Sequence, residues 1–174
     1  SSHDRPVDIL HDGFDCVIRT GALPEDGVIA RPLGKLTMVN CASPHYLTRF
    51  GYPQSPDDLT SHAIVRYTPH LGVHPLGFEV ASVNGVQWFK SGSMLTVNSS
   101  ENYLAAGLAG LGIIQIPRIA VREALRAGRL IEVLPGYRAE PLSLSLVYPQ
   151  RRELSRRVNL FMQWLAGVMK EYLD

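Results

Sequence analysis

Residues 98–117 read NSSENYLAAGLAGLGIIQIP, and this stretch predicts a helix that leads directly into a short buried strand. Leu104 and Leu108 lie four residues apart, so they share one face of a helix over residues 100–109. The apolar run at residues 112–116 has the length of a buried strand. A helix followed closely by a buried strand is typical of α/β domains, in which helices cover a sheet.

The start of this helix is a candidate binding position. Asn98 with Glu101 resembles a capping box, and Ser99 is an alternative N-cap. The backbone N–H groups at a helix N-terminus favour an anion, and hydroxyl groups add further donors. Plain capping explains Asn98, Ser99 and Ser100 equally well, and the two roles can coexist. The glycines that follow do not predict a dinucleotide loop, because such a loop follows a strand and opens a helix, and these end a helix.

Helix and strand continue to alternate to the end of the chain. A helix is predicted over residues 117–128, and strands over residues 130–134 and 142–148. The last helix is the clearest element, since apolar residues recur every three or four positions over residues 154–173, about five turns. Its apolar stripe must pack against a sheet.

The first half of the chain is richer in strands. Ser43 and Pro44 predict the start of a short helix that ends at Gly51. Asn84-Gly85 is a two-residue turn signal that predicts a hairpin. The other predictions are a helical turn at residues 7–12, a loop at 52–62, one long or broken strand at 28–42, and strands at 14–19, 63–67, 77–83, 86–90 and 93–97.

Composition narrows the class of protein. Of the 174 residues, 45% are apolar and 19% charged, which is typical of a globular domain. The formal net charge of +1 does not by itself indicate nucleic-acid binding. We expect a cytoplasmic protein with no membrane segment, since the chain has no long apolar run and its start, SSHDRPVDIL, lacks the core of a signal peptide. Cys16 and Cys41 lie in apolar runs and are expected to be buried free thiols, with a redox switch as the alternative.

The residues that could carry chemistry do not form a catalytic or metal-binding pattern. His70 and His74 are four apart, but the prolines and glycine around them exclude a shared helix face. No serine lies in a G-x-S-x-G motif, and the paired carboxylates stand beside turn residues. We therefore expect no enzyme activity, no metal and no cofactor.

Five motifs together resemble the effector-binding domain of LysR-type transcription regulators over essentially the whole chain. They are VDILHDGFDCVIRTG (7–21), CASPHYLTRFGYPQSPDDLTSH (41–62), LAAGLAGLGIIQIP (104–117), LRAGRLIEVLP (125–135) and VYPQRRELSRRVNLFMQWL (147–165). Each motif is moderately specific, and their order and spacing are highly specific.

The resemblance implies a two-lobed α/β fold of the periplasmic-binding-protein type (type 2), with two crossover hinges. Lobe I would hold residues 1–40 and 149–174, and lobe II residues 41–148. Members of the family carry a further strand, helix and strand before the VDIL segment, and an N-terminal helix-turn-helix domain with its linker helix. We therefore expect lobe I to be incomplete at its N-terminus and the DNA-binding domain to be absent from this chain.

The resemblance also implies the partners. A small effector, such as an organic or aromatic acid, would bind in the cleft, the intact protein would be a homodimer or tetramer, and DNA would be bound only through the absent domain. The matching cleft positions are Arg19, Thr20, Gly21, Tyr67, Asn98, Ser99 and Ser100. Arg19 can equally serve in an ion pair near Asp15 or the hinge. The alternatives are a free-standing solute-binding protein and an enzyme of the same fold, for which no paired nucleophile and base is visible.

Overall fold

The computed structural model describes residue 9 and residues 13–21, 27–68, 77–150 and 155–173. The helical turn predicted at residues 7–12 lies outside this set except for Ile9. The strands are β1 (Val17–Thr20), β2 (Val28–Leu36), β3 (Met38–Ala42), β4 (Ala63–Tyr67), β5 (Phe78–Ser82), β6 (Gly85–Phe89), β7 (Gly92–Val97), β8 (Ile114–Pro117), β9 (Ile131–Glu132) and β10 (Leu142–Pro149). The helices are α1 (Pro44–Phe50), α2 (Ser100–Leu108), α3 (Arg118–Arg126) and α4 (Arg156–Met169).

The chain divides into two compact units. Unit 1 contains the described residues of Met38–Glu140, and unit 2 those of Val7–Thr37 and Pro141–Asp174. These divisions fall after Thr37 and Glu140, whereas the expected lobe boundaries lay near residues 40 and 148. At Glu140 the division precedes β10 because the whole of this strand pairs with β1 and β2, and alternation along a strand does not reveal its partner.

Unit 2 is built on one antiparallel sheet in the order β1-β10-β2. The broken-strand alternative for residues 28–42 is confirmed, since the chain leaves this sheet at Thr37 and β3 joins a different sheet. On the sheet lies α4, whose Val158 and Met162 pack with Leu146 of β10. The Oγ of Ser155 caps α4 by accepting from the N–H of Val158 at 3.4 Å. The helix has 14 residues and ends at Met169, about one turn before the predicted end.

The described residues of unit 1 form three small sheets. In the first, β3 lies between β8 and β9 and is antiparallel to both. The second pairs β4 with β7 in parallel, and the third is the β5–β6 hairpin. Two apolar clusters form the core, one around Val39, Ile114 and Val121, and the other around Tyr46, Leu59 and Phe78.

Two local predictions are corrected by the structure. Pro56–Ser61, predicted as loop, form a 3-10 helix, because Ser55 and Asp58 make a reciprocal capping box that satisfies its first N–H groups. The predicted hairpin is present, but Ser82 is paired with Gly85, so its two central residues are 83 and 84. The hydroxyl of Ser82 donates to the carbonyl of Gly85 at 2.7 Å and closes this turn.

Within the described ranges, no helix combines the length and the apolar character needed to cross a membrane.

Candidate functional site

The N-terminus of α2 is built by Ser99. This residue has extended backbone angles, and its Oγ accepts from the N–H of Asn102 at 3.5 Å, so Ser99 rather than Asn98 is the N-cap. Its carbonyl accepts the first helical bond, from Tyr103, at 2.9 Å. Ser99 is buried, Asn98 half-buried and Ser100 exposed. The three predicted residues therefore surround the positive end of one helix dipole, which is suited to an anion.

Tyr67 lies next to this helix start. It is the last residue of β4 and is paired with Val97, the last residue of the parallel strand β7. Its ring centroid lies 5.8 Å from that of Tyr103, in the first turn of α2. The structure thus brings Tyr67 together with Asn98, Ser99 and Ser100 at the carboxyl ends of two parallel strands, the edge at which α/β sheets bind ligands.

Sequence reasoning missed two residues, Gln115 and Asn40, that are connected by hydrogen bonds to Tyr103 of α2. Gln115 of β8 donates its backbone N–H to the phenolic oxygen of Tyr103 at 2.8 Å, and its side chain donates to Oδ1 of Asn40 at 2.9 Å. Burial raises the pKa of Tyr103 well above its usual value, so the phenol is neutral. The available signal was a single amide residue in each of two otherwise apolar strands, MVNCA and IQIP.

The other predicted residues lie in unit 2, at the end of β1. Thr20 is exposed and Arg19 half-buried. Gly21 follows with a φ of +78°, a conformation that favours glycine, and donates its N–H to the carbonyl of Ser143 at 2.9 Å. Arg19, Thr20 and Gly21 therefore form one continuous polar strand end, positioned by the pairing of β1 with β10.

In the part of the chain that the structure describes, burial moves both cysteine thiols away from the reactive, ionised form. Burial, with a smaller effect from Glu132, raises the pKa of Cys41 to about 12, and burial also raises the pKa of the Cys16 thiol. Such thiols are poor nucleophiles at neutral pH. No group of three or more His, Cys, Asp or Glu residues is placed to hold a metal ion there, and His70 and His74 lie outside these residues.

Known proteins share this sequence and fold. The family model of the LysR substrate binding domain matches residues 1–170. The HTH-type transcriptional regulator YhjC of Escherichia coli strain K12 is 99% identical over 174 residues, which are 100% of this chain and 58% of that protein. The HTH-type transcriptional activator AaeR of the same strain is 32% identical over 167 residues, 94% of this chain and 52% of that protein. The chain thus spans little more than half the length of these relatives.

The regulatory domain of CrgA, a LysR-type transcriptional regulator from Neisseria meningitidis, superposes with a TM-score of 0.79 at 25% identity, covering 92% of this chain and 78% of that one. This likeness confirms the expected two-lobed α/β fold class. Together with the match along residues 1–170, it shows that the chain belongs to the LysR substrate-binding domain family.

Proposed function

We propose that this chain is the effector-sensing part of a LysR-type transcription regulator and that it binds a small organic acid at the N-terminus of α2. The observation that carries the proposal is the placement of the helix start capped by Ser99 beside Tyr67, at the carboxyl ends of β4 and β7. A carboxylate there would accept hydrogen bonds from backbone N–H groups and would be favoured by the helix dipole.

Each predicted residue has a role in this proposal. The hydroxyls of Ser99 and Ser100 would be the side-chain donors to the carboxylate, since a serine hydroxyl can both donate and accept. The ring of Tyr67, 37% exposed, offers a face to an aromatic effector. In unit 2, considered by itself, the strand end offers the hydroxyl of Thr20 as a donor, close backbone approach at Gly21, and the charge of Arg19 to an anion.

The effector would act by shifting an equilibrium between two arrangements of the domain, in proportion to its difference in affinity for them. In the intact protein we propose a homodimer or tetramer that acts in the bacterial cytoplasm and binds DNA through a separate helix-turn-helix domain. The relatives named as HTH-type regulators favour this function over a free-standing solute-binding protein. Sensing needs no catalytic step, and we propose none.

The test is a thermal-shift and calorimetric titration with small aromatic and aliphatic carboxylic acids, of which at least one should raise the melting temperature. The double variant Ser99→Ala with Ser100→Ala should weaken binding of that acid at least about tenfold, because it removes two hydrogen-bond donors to a charged group. Ser155→Ala is the matched control, since it removes a serine N-cap from α4. Unchanged affinity in the double variant would show that the effector binds elsewhere.

A further inference from the structure

Two amide side chains meet in unit 1, that of Asn40, which is buried, and that of Gln115, which is half-buried. The register of β3 and β8 pairs Asn40 with Gln115, and the Nε2 of Gln115 donates to the Oδ1 of Asn40 at 2.9 Å. Gln115 also exchanges two hydrogen bonds with the backbone of Glu79, which donates to Oε1 at 3.0 Å and accepts from Nε2 at 2.8 Å. Buried amides are costly unless their donors and acceptors are used, and here they are.

On one side this pair is joined to the first turn of α2. The backbone N–H of Gln115 donates to the phenolic oxygen of Tyr103 at 2.8 Å, and the N–H of Tyr103 donates to the carbonyl of Ser99 at 2.9 Å. Tyr103 is buried and packs in the core with Ile114 and Ile116, so its ring has little room to move independently. Two hydrogen bonds, both made by Tyr103, therefore connect the N-cap residue of α2 with β8.

On the other side the pair holds the segment that leads out of unit 1. The Nδ2 of Asn40 donates to the carbonyls of Leu134 and Tyr137 at 3.2 and 2.9 Å. Leu134 has a φ of +48°, the left-handed conformation that a side chain such as leucine rarely adopts. Such a conformation persists only where the surroundings determine it. Asn40 helps to hold this conformation through its side chain, which donates to the carbonyl of Leu134, and through its backbone carbonyl, which accepts from the N–H of Val133 at 2.9 Å.

We propose that Tyr103, Gln115 and Asn40 form a hydrogen-bonded relay that couples the first turn of α2 to the turn at residues 134–137, shortly before the chain leaves unit 1 at Glu140. The relay uses both donors of each amide, so moving one member leaves a buried group unpaired, and its neighbours must rearrange. Its use by an effector rests on the proposed function, in which a carboxylate binds beside Ser99. The relay itself is a property of unit 1.

The test is a double-mutant cycle read by amide hydrogen exchange at Tyr137, whose N–H donates to the carbonyl of Leu134 at 2.9 Å. Asn40→Ala should accelerate this exchange on the order of fivefold or more, the effect of losing about one hydrogen bond. Tyr103→Phe, which removes only the oxygen that accepts from Gln115, should accelerate it as well. Because both changes break the same relay, the double variant should exchange more slowly than the product of the two single effects predicts.

Tyr46→Phe is the matched control, since the Tyr46 hydroxyl is also bonded in unit 1 but to His62 and Ala63. Tyr46→Phe should not accelerate exchange at the Tyr137 amide more than at other amides of unit 1. If Asn40→Ala does not fold, Asn40→Asp replaces it, because the aspartate keeps the acceptor for Gln115 and loses the donors to residues 134 and 137. The relay would be overturned if Tyr103→Phe left the exchange rate of the Tyr137 amide unchanged. It would also be overturned if the rate increase in the double variant equalled the product of the two single increases.

Titration with sodium benzoate separates the relay from the proposed function. If benzoate does not bind and the cycle is non-additive, the relay stands and the carboxylate site beside Ser99 loses its support. If benzoate binds in a Ser99-dependent manner and the cycle is additive, the proposed function stands and the relay is overturned. If both hold, bound benzoate should change the exchange of Tyr137 in the wild-type protein and not in Tyr103→Phe, and an unchanged rate in the wild type would sink the relay.

Discussion

The phenolic oxygen of Tyr46 lies 3.0 Å from Nδ1 of His62, and the backbone N–H of Ala63 donates to the same oxygen at 2.8 Å. Both side chains are buried in unit 1. Burial lowers the pKa of His62, and the carboxylate of Asp58 opposes this effect without outweighing it. The fold therefore prefers the neutral imidazole at a pH where the unfolded chain already takes up a proton.

This relationship predicts a stability that falls in mild acid. An unfolded histidine titrates near pH 6.5, so the contribution of His62 is complete above about that pH and is lost as the pH falls towards the lower pKa of the fold. Urea unfolding at several pH values between 7.5 and 5 should show a steeper loss for the wild type than for His62→Asn. The matched control is His45→Asn, which makes the same substitution at an exposed histidine. Equal slopes for wild type and His62→Asn would contradict the prediction.

The two serine N-caps allow stability and binding to be separated. Ser99 caps α2 and Ser155 caps α4, each by accepting one backbone N–H, at 3.5 and 3.4 Å. Replacing either by alanine should cost roughly 1 kcal/mol in unfolding free energy, the usual effect of losing an N-cap. Only Ser99→Ala should also weaken the binding of a carboxylic acid, measured by calorimetry. Equal effects of both variants on affinity would remove Ser99 from the site.

Local structure was predictable where a short stretch carries the information. The α1 helix begins and ends where Ser43, Pro44 and Gly51 place it, because capping depends on a few neighbouring residues. The parallel pairing of β4 with β7 and the position of β10 between β1 and β2 were not predictable. A period of two shows which side chains share a face and does not show which strand lies alongside.

The candidate site, like the fold, was predictable from the sequence only in its local features. The Ser99 cap was one of two alternatives, and the choice between Ser99 and Asn98 depends on backbone angles that the sequence does not reveal. The contact of Tyr67 with Tyr103 requires the parallel register of β4 and β7. Asn40 and Gln115 lie 75 positions apart, so their hydrogen bond is a product of tertiary pairing.

The buried position of Cys41 predicts a slow reaction with thiol reagents. Its pKa is raised to about 12, chiefly by burial, and the side chain is fully buried. Little thiolate therefore forms at pH 8, and a reagent reaches it only when unit 1 opens. Iodoacetamide should modify the half-buried Cys16 first, and both cysteines at similar rates in denaturant, as followed by mass spectrometry of peptides. Rapid labelling of Cys41 in the Cys16→Ser variant under native conditions would contradict this prediction and would support the redox-switch hypothesis.

The glycine before Ile113 is required by a close approach of two backbones. A Cβ on Gly112 would lie 2.6 Å from the carbonyl oxygen of Ala63 and 3.2 Å from the nitrogen of Val65. Neither atom can retreat freely, because both are hydrogen-bonded to Ile113, at 2.9 and 3.0 Å. Gly112→Ala should therefore cost roughly 1–3 kcal/mol in unfolding free energy, as overpacking usually does.

Gly136→Ala is the matched control, since a Cβ on Gly136 would have no atom within 4 Å, and it should stay within about 0.5 kcal/mol of the wild type in urea unfolding. Equal stability of the two variants would mean that β4 and residue 112 separate more easily than their hydrogen bonds imply.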